Sequence, residues 1–246
     1  MVARLWFGPM HPFLLAAWAS WQPGTCFPDD CFCEAIQGGL IRQPANTWSS
    51  FAFVLVALWV LRRQGQGARA GRPPLPSAQA WVFVGSLALV GVGSAFYHAS
   101  LTFVGQVIDV SGMYLIATFI LLHRLAPKWG LSPVRSVLGF VGANAVLMVA
   151  QVTTPSLRRI VFGLLLVSAL LVEARASREG RRWLAGGAAL MVMAFAVWSL
   201  DRWRLVCAPE SPWQGHAVWH GLGALAAACL FRSYEADAPG PHPQVE

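Results

Sequence analysis

Seven apolar stretches divide most of this chain, at about residues 46–63, 80–97, 107–123, 134–150, 159–174, 184–200 and 213–231. Each is long enough to cross most of a bilayer, and lipid offers a spanning backbone no hydrogen-bond partner but its own. Helix is the expected state of all seven, so the expected fold class is all-α, a seven-transmembrane helix bundle. Of the residues, 56% are apolar and 12% charged, about half the ~25% charge of a soluble domain. That excludes a disordered chain and most soluble enzymes. The pI of 9.8 does not mark nucleic-acid binding, because in a membrane protein Lys and Arg mark the cytoplasmic loops. The bilayer is the expected partner; no nucleic acid and no protein partner is implied.

The basic residues give an orientation. Arg62, Arg63, Arg69, Arg72, Arg124, Lys128, Arg135, Arg175, Arg178, Arg181, Arg182 and Arg232 fall on one side, twelve of the 18. Arg4, Arg42, Arg158, Arg159, Arg202 and Arg204 fall on the other. The positive-inside rule then predicts the N-terminus outside and the C-terminus cytoplasmic. Arg158 and Arg159 run against it.

The expected organisation is an outer N-terminal segment (1–45), a membrane domain (46–231) and a cytoplasmic tail (232–246). Within the first, Leu5–Trp21 is apolar but interrupted by Pro9 and Pro12, which predicts an interfacial helix with Trp6, Phe7, Trp18 and Trp21 at headgroup level. The first span starts after Pro44, with Asn46 or Thr47 as its N-cap. A Gly/Arg/Pro loop is expected at 64–76, and the tail Ala236–Glu246 is expected to be disordered. Cys26, Cys31, Cys33 and Cys207 all fall on the outer side, where an oxidising compartment permits a disulfide. Cys207 has three possible partners, and spacing does not choose among them.

Ionisable residues inside a span are costly and point to function. Ser94 and His98 close the second span on one helical face. Asp109 opens the third, and His216 and His220, one turn apart, open the seventh. All five fall at similar depth on the outer side. Two histidines one turn apart plus a third from another helix supply the ligands of an open tetrahedral zinc site, its fourth position left for water. Asp109 would be a proton acceptor or would orient a ligand. Taken singly, each has a plainer reading: a surface histidine pair, a helix cap, or a small residue allowing close packing. Glu173 is explained by pairing at the arginine-rich end, and His11, His123 and His242 carry no such pattern.

These residues resemble a known set. Gly91 to His98 followed by Asp109, and Asp201 through Cys207 to His216 and His220, are similar to the alkaline ceramidase family, within a superfamily of seven-helix membrane hydrolases that includes adiponectin-receptor-like proteins. The stretch from Cys33-Glu34 to Asn46-Thr47-Trp48-Ser49 resembles the family's opening motif. The resemblance implies a zinc ion held by His98, His216 and His220, with catalytic roles for Asp109 and Ser94. It also implies hydrolysis of the ceramide amide to sphingosine and fatty acid; with the spans and the arginine-based orientation, the expectation is an integral, multi-pass membrane enzyme whose active site faces the outer side. Asp109 would handle the proton and Ser94 would donate to the developing oxyanion. The resemblance further implies a Cys33–Cys207 disulfide. It breaks at the family's calcium (Ca2+) site, where Glu34 is in place but Cys31, Ile36 and Gln43 stand at the other ligand positions and only Gln43 offers an oxygen. Asp29 and Asp30 could compensate through a shifted loop. Two other readings stay open: hydrolysis of another N-acyl lipid or a phospholipid, and a metal-bearing receptor or structural protein without turnover.

Overall fold

The computed structural model describes residues 18, 20–25 and 32–238. These form seven α-helices and no strand: α1 (Pro44–Arg69), α2 (Ser77–Ser100), α3 (Phe103–Lys128), α4 (Pro133–Thr153), α5 (Arg158–Ala176), α6 (Arg181–Arg202) and α7 (Gly215–Asp237). Of the seven, α1, α2, α3, α4 and α6 are long and apolar enough to cross a membrane. In α5 the apolar run is bounded by Arg158, Arg159, Glu173 and Arg175, and α7 dilutes its apolar residues with histidines, glycines and a charged last turn.

Helix α7 packs against α1 and α6, α2 against α1 and α3, and α3 against α4 and α5. Consecutive α5 and α6 barely touch. The main core, including Phe83, Phe119, Phe231 and Tyr234, fills the half of the bundle towards the arginine-rich loops. On α4 an unbroken apolar face that includes Val134, Leu138, Val141 and Val146 is exposed, as expected of a surface covered by lipid rather than water.

The helix starts follow local chemistry. Thr102 and Ser132 cap α3 and α4, their hydroxyls accepting from the N–H groups of Gly105 and Arg135, a standard way of satisfying first-turn donors. The start of α1 differs from the expectation. Gln43 is its N-cap and Pro44 its first residue, while Asn46 and Thr47 lie inside the helix. The capping acceptor comes from ten residues upstream in the chain: Glu34 Oε1 and Oε2 accept from the N–H groups of Ala45 at 2.6 Å and Asn46 at 2.9 Å. Burial pushes the Glu34 carboxyl up, and these two donors oppose that shift.

Two further boundaries move. Helix α1 runs on to Arg69, through half of the expected 64–76 loop. The Gln64 amide clamps the returning strand of chain by bonding both backbone groups of Leu75, at 2.6 and 3.2 Å. At the other end α7 continues to Asp237, so Ala236 and Asp237 are helical rather than tail. Asp237 Oδ1 accepts from the N–H groups of Arg178, Glu179 and Gly180, and Oδ2 pairs with Arg124 at 3.2 Å. Glu173 is paired as anticipated, with Arg124 Nε at 2.8 Å. Of the expected interfacial helix, Leu5–Ala17 lies outside the described residues, as do Cys26, Asp29, Asp30, Cys31 and the chain beyond Ala238. Trp18 and Trp21 are described, and both rings pack edge-on against Phe96 of α2.

Candidate metal centre

Three imidazoles meet at one end of the bundle, His98 from the last turns of α2 and His216 and His220 from the first turns of α7. All are buried, and one ring nitrogen from each lies within 4.8 Å of the others. His216 Nε2 and His98 Nε2 are 3.1 Å apart.

The surrounding hydrogen bonds assign ring protons to two of the three histidines. His98 Nδ1 lies 2.9 Å from Gln43 Oε1, while the Gln43 amide nitrogen donates to the Glu34 carbonyl at 3.3 Å. An amide oxygen only accepts, so His98 bears its proton on Nδ1 and presents a lone pair at Nε2. His220 Nδ1 faces Ser49 Oγ at 2.8 Å and Ser50 Oγ at 3.4 Å. Both hydroxyls also reach the Asn46 carbonyl, at 3.1 and 2.7 Å, and with their protons placed there they accept from His220 Nδ1. Its Nε2 is also a lone pair.

Ser94 completes the pattern. Its Oγ is 3.2 Å from His220 Nε2, and its hydroxyl is also hydrogen-bonded to Asp109. With its proton given to the carboxylate, Ser94 turns oxygen lone pairs towards the nitrogen lone pair. Buried lone pairs that converge in this way repel one another unless a cation sits among them. Imidazoles whose far N–H groups are held by acceptors, as those of His98 and His220 are, are the arrangement in which metal-ligating histidines are found, and imidazole suits zinc. The donor set fits a zinc ion. His216 is the less finished member, since its buried Nδ1 has no partner.

Close helix packing sets these positions. A Cβ on Gly93 would lie 2.9 Å from Ile108 Cγ2 and 3.2 Å from the Asp109 backbone nitrogen, so glycine there lets α2 and α3 approach where Ser94 meets Asp109. A Cβ on Gly215 would lie 2.7 Å from Asp201 Cβ. Asp201, at the end of α6, uses that closeness: its two oxygens accept from the N–H groups of Cys33 at 3.1 Å and His216 at 3.2 Å. Cys33 and Cys207 are joined by a disulfide with Cα atoms 5.5 Å apart. The neighbouring Phe32 ring lies over the cluster, 4.3 Å from His216 and 4.8 Å from His98 between ring centroids.

A cavity of about 210 Å³ leads away from the cluster. Ser94, Asp109, His216 and His220 line one end, and the wall beyond is apolar, with Met113, Phe162, Leu166 and Met191 among its residues. Thus Ser94, His98, Asp109, His216 and His220, drawn from three separated segments, are brought together. Gln43 and Glu34, candidates for the calcium site, have other employment: Gln43 holds His98 and Glu34 caps α1. Gln43, Ser49, Ser50, Asp201 and Phe32 surround the centre without having been assigned any part in it from the sequence, apart from Gln43's place in the calcium pattern. Polarity in the opening motif was the available signal for Gln43 and the serines. For Asp201 the signal was its place at the start of the stretch that resembles the family.

An apolar helical bundle whose internal cavity ends on a buried three-imidazole cluster defines a membrane-type helical protein with a candidate metal centre. The sequence matches the model of the Ceramidase family over residues 32–236, and the chain belongs to that family. It is 28% identical over 120 residues to an alkaline ceramidase of Drosophila melanogaster, an alignment covering 46% of this chain. The chain spans 40% of that relative's length.

Proposed function

We propose that this protein is a zinc-dependent amidohydrolase of the membrane that cleaves the amide bond of ceramide to a sphingoid base and a fatty acid. The observation that carries the reading is the convergence of one ring nitrogen each from His98, His216 and His220 within 4.8 Å of one another, beside a Ser94–Asp109 pair at the end of an apolar cavity. Family membership supports the lipid amide as substrate.

His98, His216 and His220 would hold the zinc ion, with Gln43 and Ser49 orienting two of them. A zinc ion in such a site polarises a carbonyl and lowers the pKa of water to about 7. The chain's own residues do the rest. Asp109, reached through Ser94, takes a proton from the attacking water and returns it to the leaving amine, a role typically worth 10²–10⁴-fold. Once Asp109 has taken that proton it no longer needs the hydrogen bond from Ser94, whose hydroxyl is then free to donate to charge developing on the carbonyl oxygen. The apolar wall takes the acyl chain and excludes water, and Phe32 covers the cluster from the disulfide side.

In this reading all seven helices span the bilayer, with residues 1–45 outside, 46–231 forming the membrane domain and 232–246 on the cytoplasmic side. The active site then faces the outer side. The distribution of arginines supports this orientation, and the exposed apolar face of α4 supports a lipid surround. Purified protein incubated with ceramide, with and without a zinc chelator, tests the proposal. Release of sphingoid base that stops on chelation and returns with zinc is expected. Equal release in chelator, or none from the zinc-loaded protein, overturns it.

A further inference from the structure

Arg158 opens α5 in the part of the bundle that holds Asp109, and its side chain forms part of the same cavity's wall. It is 5% exposed, yet among the described residues its Nε and Nη1 have no hydrogen-bond partner. Its remaining nitrogen, Nη2, reaches only the Gln151 carbonyl, at 3.5 Å. The guanidinium lies 5.8 Å from the Phe103 ring centroid, and none of the ion pairs among the described residues includes it. Arg159 lines the cavity too, over the Trp198 ring.

A buried cation with unused donors is expensive. The other buried arginine network of this bundle shows the usual remedy: Arg124 meets Glu173 at 2.8 Å and Asp237 at 3.2 Å. Among the described residues Arg158 has no carboxylate at ion-pair distance, Asp109 attracting it only from farther off, and it is kept against a cavity wall that is otherwise mostly apolar. Guanidinium is also the side chain best matched to planar or tetrahedral oxyanions.

We infer that Arg158 is the oxyanion-binding residue of the lipid cavity, holding a carboxylate or phosphate carried by a lipid. The inference rests on the lipid-cavity part of the function proposed above but not on hydrolysis. Two sources share this chemistry: the carboxylate of a fatty acid, which amide hydrolysis would release, and a phosphate on the headgroup of a sphingolipid.

The test is equilibrium binding without turnover, using the full-length protein in nanodiscs. Palmitate with a ¹³C carboxyl, ceramide 1-phosphate and the uncharged hexadecanol are the three probes, each measured on zinc-loaded and on chelated protein. Arg158→Gln should weaken palmitate or ceramide 1-phosphate at least about tenfold, the scale of one charge-assisted hydrogen bond. Hexadecanol should change less than about twofold, and Arg158→Lys, which keeps the charge, should fall between. Loss confined to palmitate assigns the fatty-acid carboxylate, and loss confined to ceramide 1-phosphate assigns the headgroup. Equal weakening of all three probes means a structural role and overturns the inference. So does no weakening, or a loss that vanishes on chelation, since the metal would then be holding the anion. Should both variants misfold, the wild type decides: bound palmitate must stay ionised at a pH where palmitate in empty nanodiscs is protonated. If the two titrate alike, the inference fails.

Discussion

His98 gives its Nδ1 proton to the side-chain oxygen of Gln43 at 2.9 Å, and this one contact aims the Nε2 lone pair at the imidazoles of α7. Replacing Gln43 with Leu removes the acceptor at similar size. Loss of such an orienting partner typically costs 10–100-fold in metal affinity, and that is the expected drop in a chelator competition. An unchanged affinity would mean that helix packing alone holds the ring.

The metal itself should follow the three histidines. About one zinc per chain is expected by elemental analysis, with His216→Ala and His220→Ala each losing most of it. Both variants retaining stoichiometric zinc would place the metal elsewhere.

Asp109 separates binding from chemistry. Asp109→Asn should keep its zinc while ceramide turnover falls 10²–10⁴-fold. Wild-type turnover in this variant would make the carboxylate structural.

The disulfide links residues 174 apart in sequence. In the chain-entropy model, closing a loop that long stabilises the fold by up to ~5 kcal/mol. Cys207→Ser should therefore lower thermal stability, and zinc should leave more readily, because Cys33 N–H and His216 N–H share Asp201. Mass spectrometry of the non-reduced wild type after blocking with a thiol reagent checks the premise: a labelled Cys207 contradicts the bond.

At the opposite end of the bundle, Glu173 is fully buried between Arg124 Nε at 2.8 Å and the Tyr234 hydroxyl at 2.9 Å. Glu173→Ala strands part of a buried charge, a change that costs about 3–5 kcal/mol when a pair is broken on one side. Unfolding in mixed micelles should show it, with metal content unaltered in the folded fraction. A loss below about 1 kcal/mol would mean that Asp237 suffices for Arg124.

What could be read from the sequence was what repeats or is scarce. His216 and His220 are four apart, one helical turn, and few other ionisable residues interrupt the apolar runs. The order of the seven helices among the described residues followed from the same apolar runs. Contacts between remote residues left no such trace. Glu34 caps a helix that begins ten residues later, where a local cap at Asn46 was the simpler expectation. Gln64 keeps a glycine-rich stretch helical by binding Leu75 across the turn. Asp201 lies at the end of one apolar stretch and acts on the beginning of the next. Arg158 and Arg159 had looked like exceptions to a charge rule for loops. Arg158 is buried in the cavity wall, so it belongs to the interior and not to the loop population that the rule counts.

The donor set has a consequence for the order of events during synthesis. His98 and His216 are separated by 118 residues, and the second and third imidazoles arrive only with the last helix. A chain still leaving the ribosome offers a single buried histidine, too few ligands to retain zinc against cellular competitors. If the three imidazoles hold zinc as proposed, metal capture would come after α7 has docked between α1 and α6. The ion would act as a seal on completed molecules, and products truncated before α7 would stay metal-free.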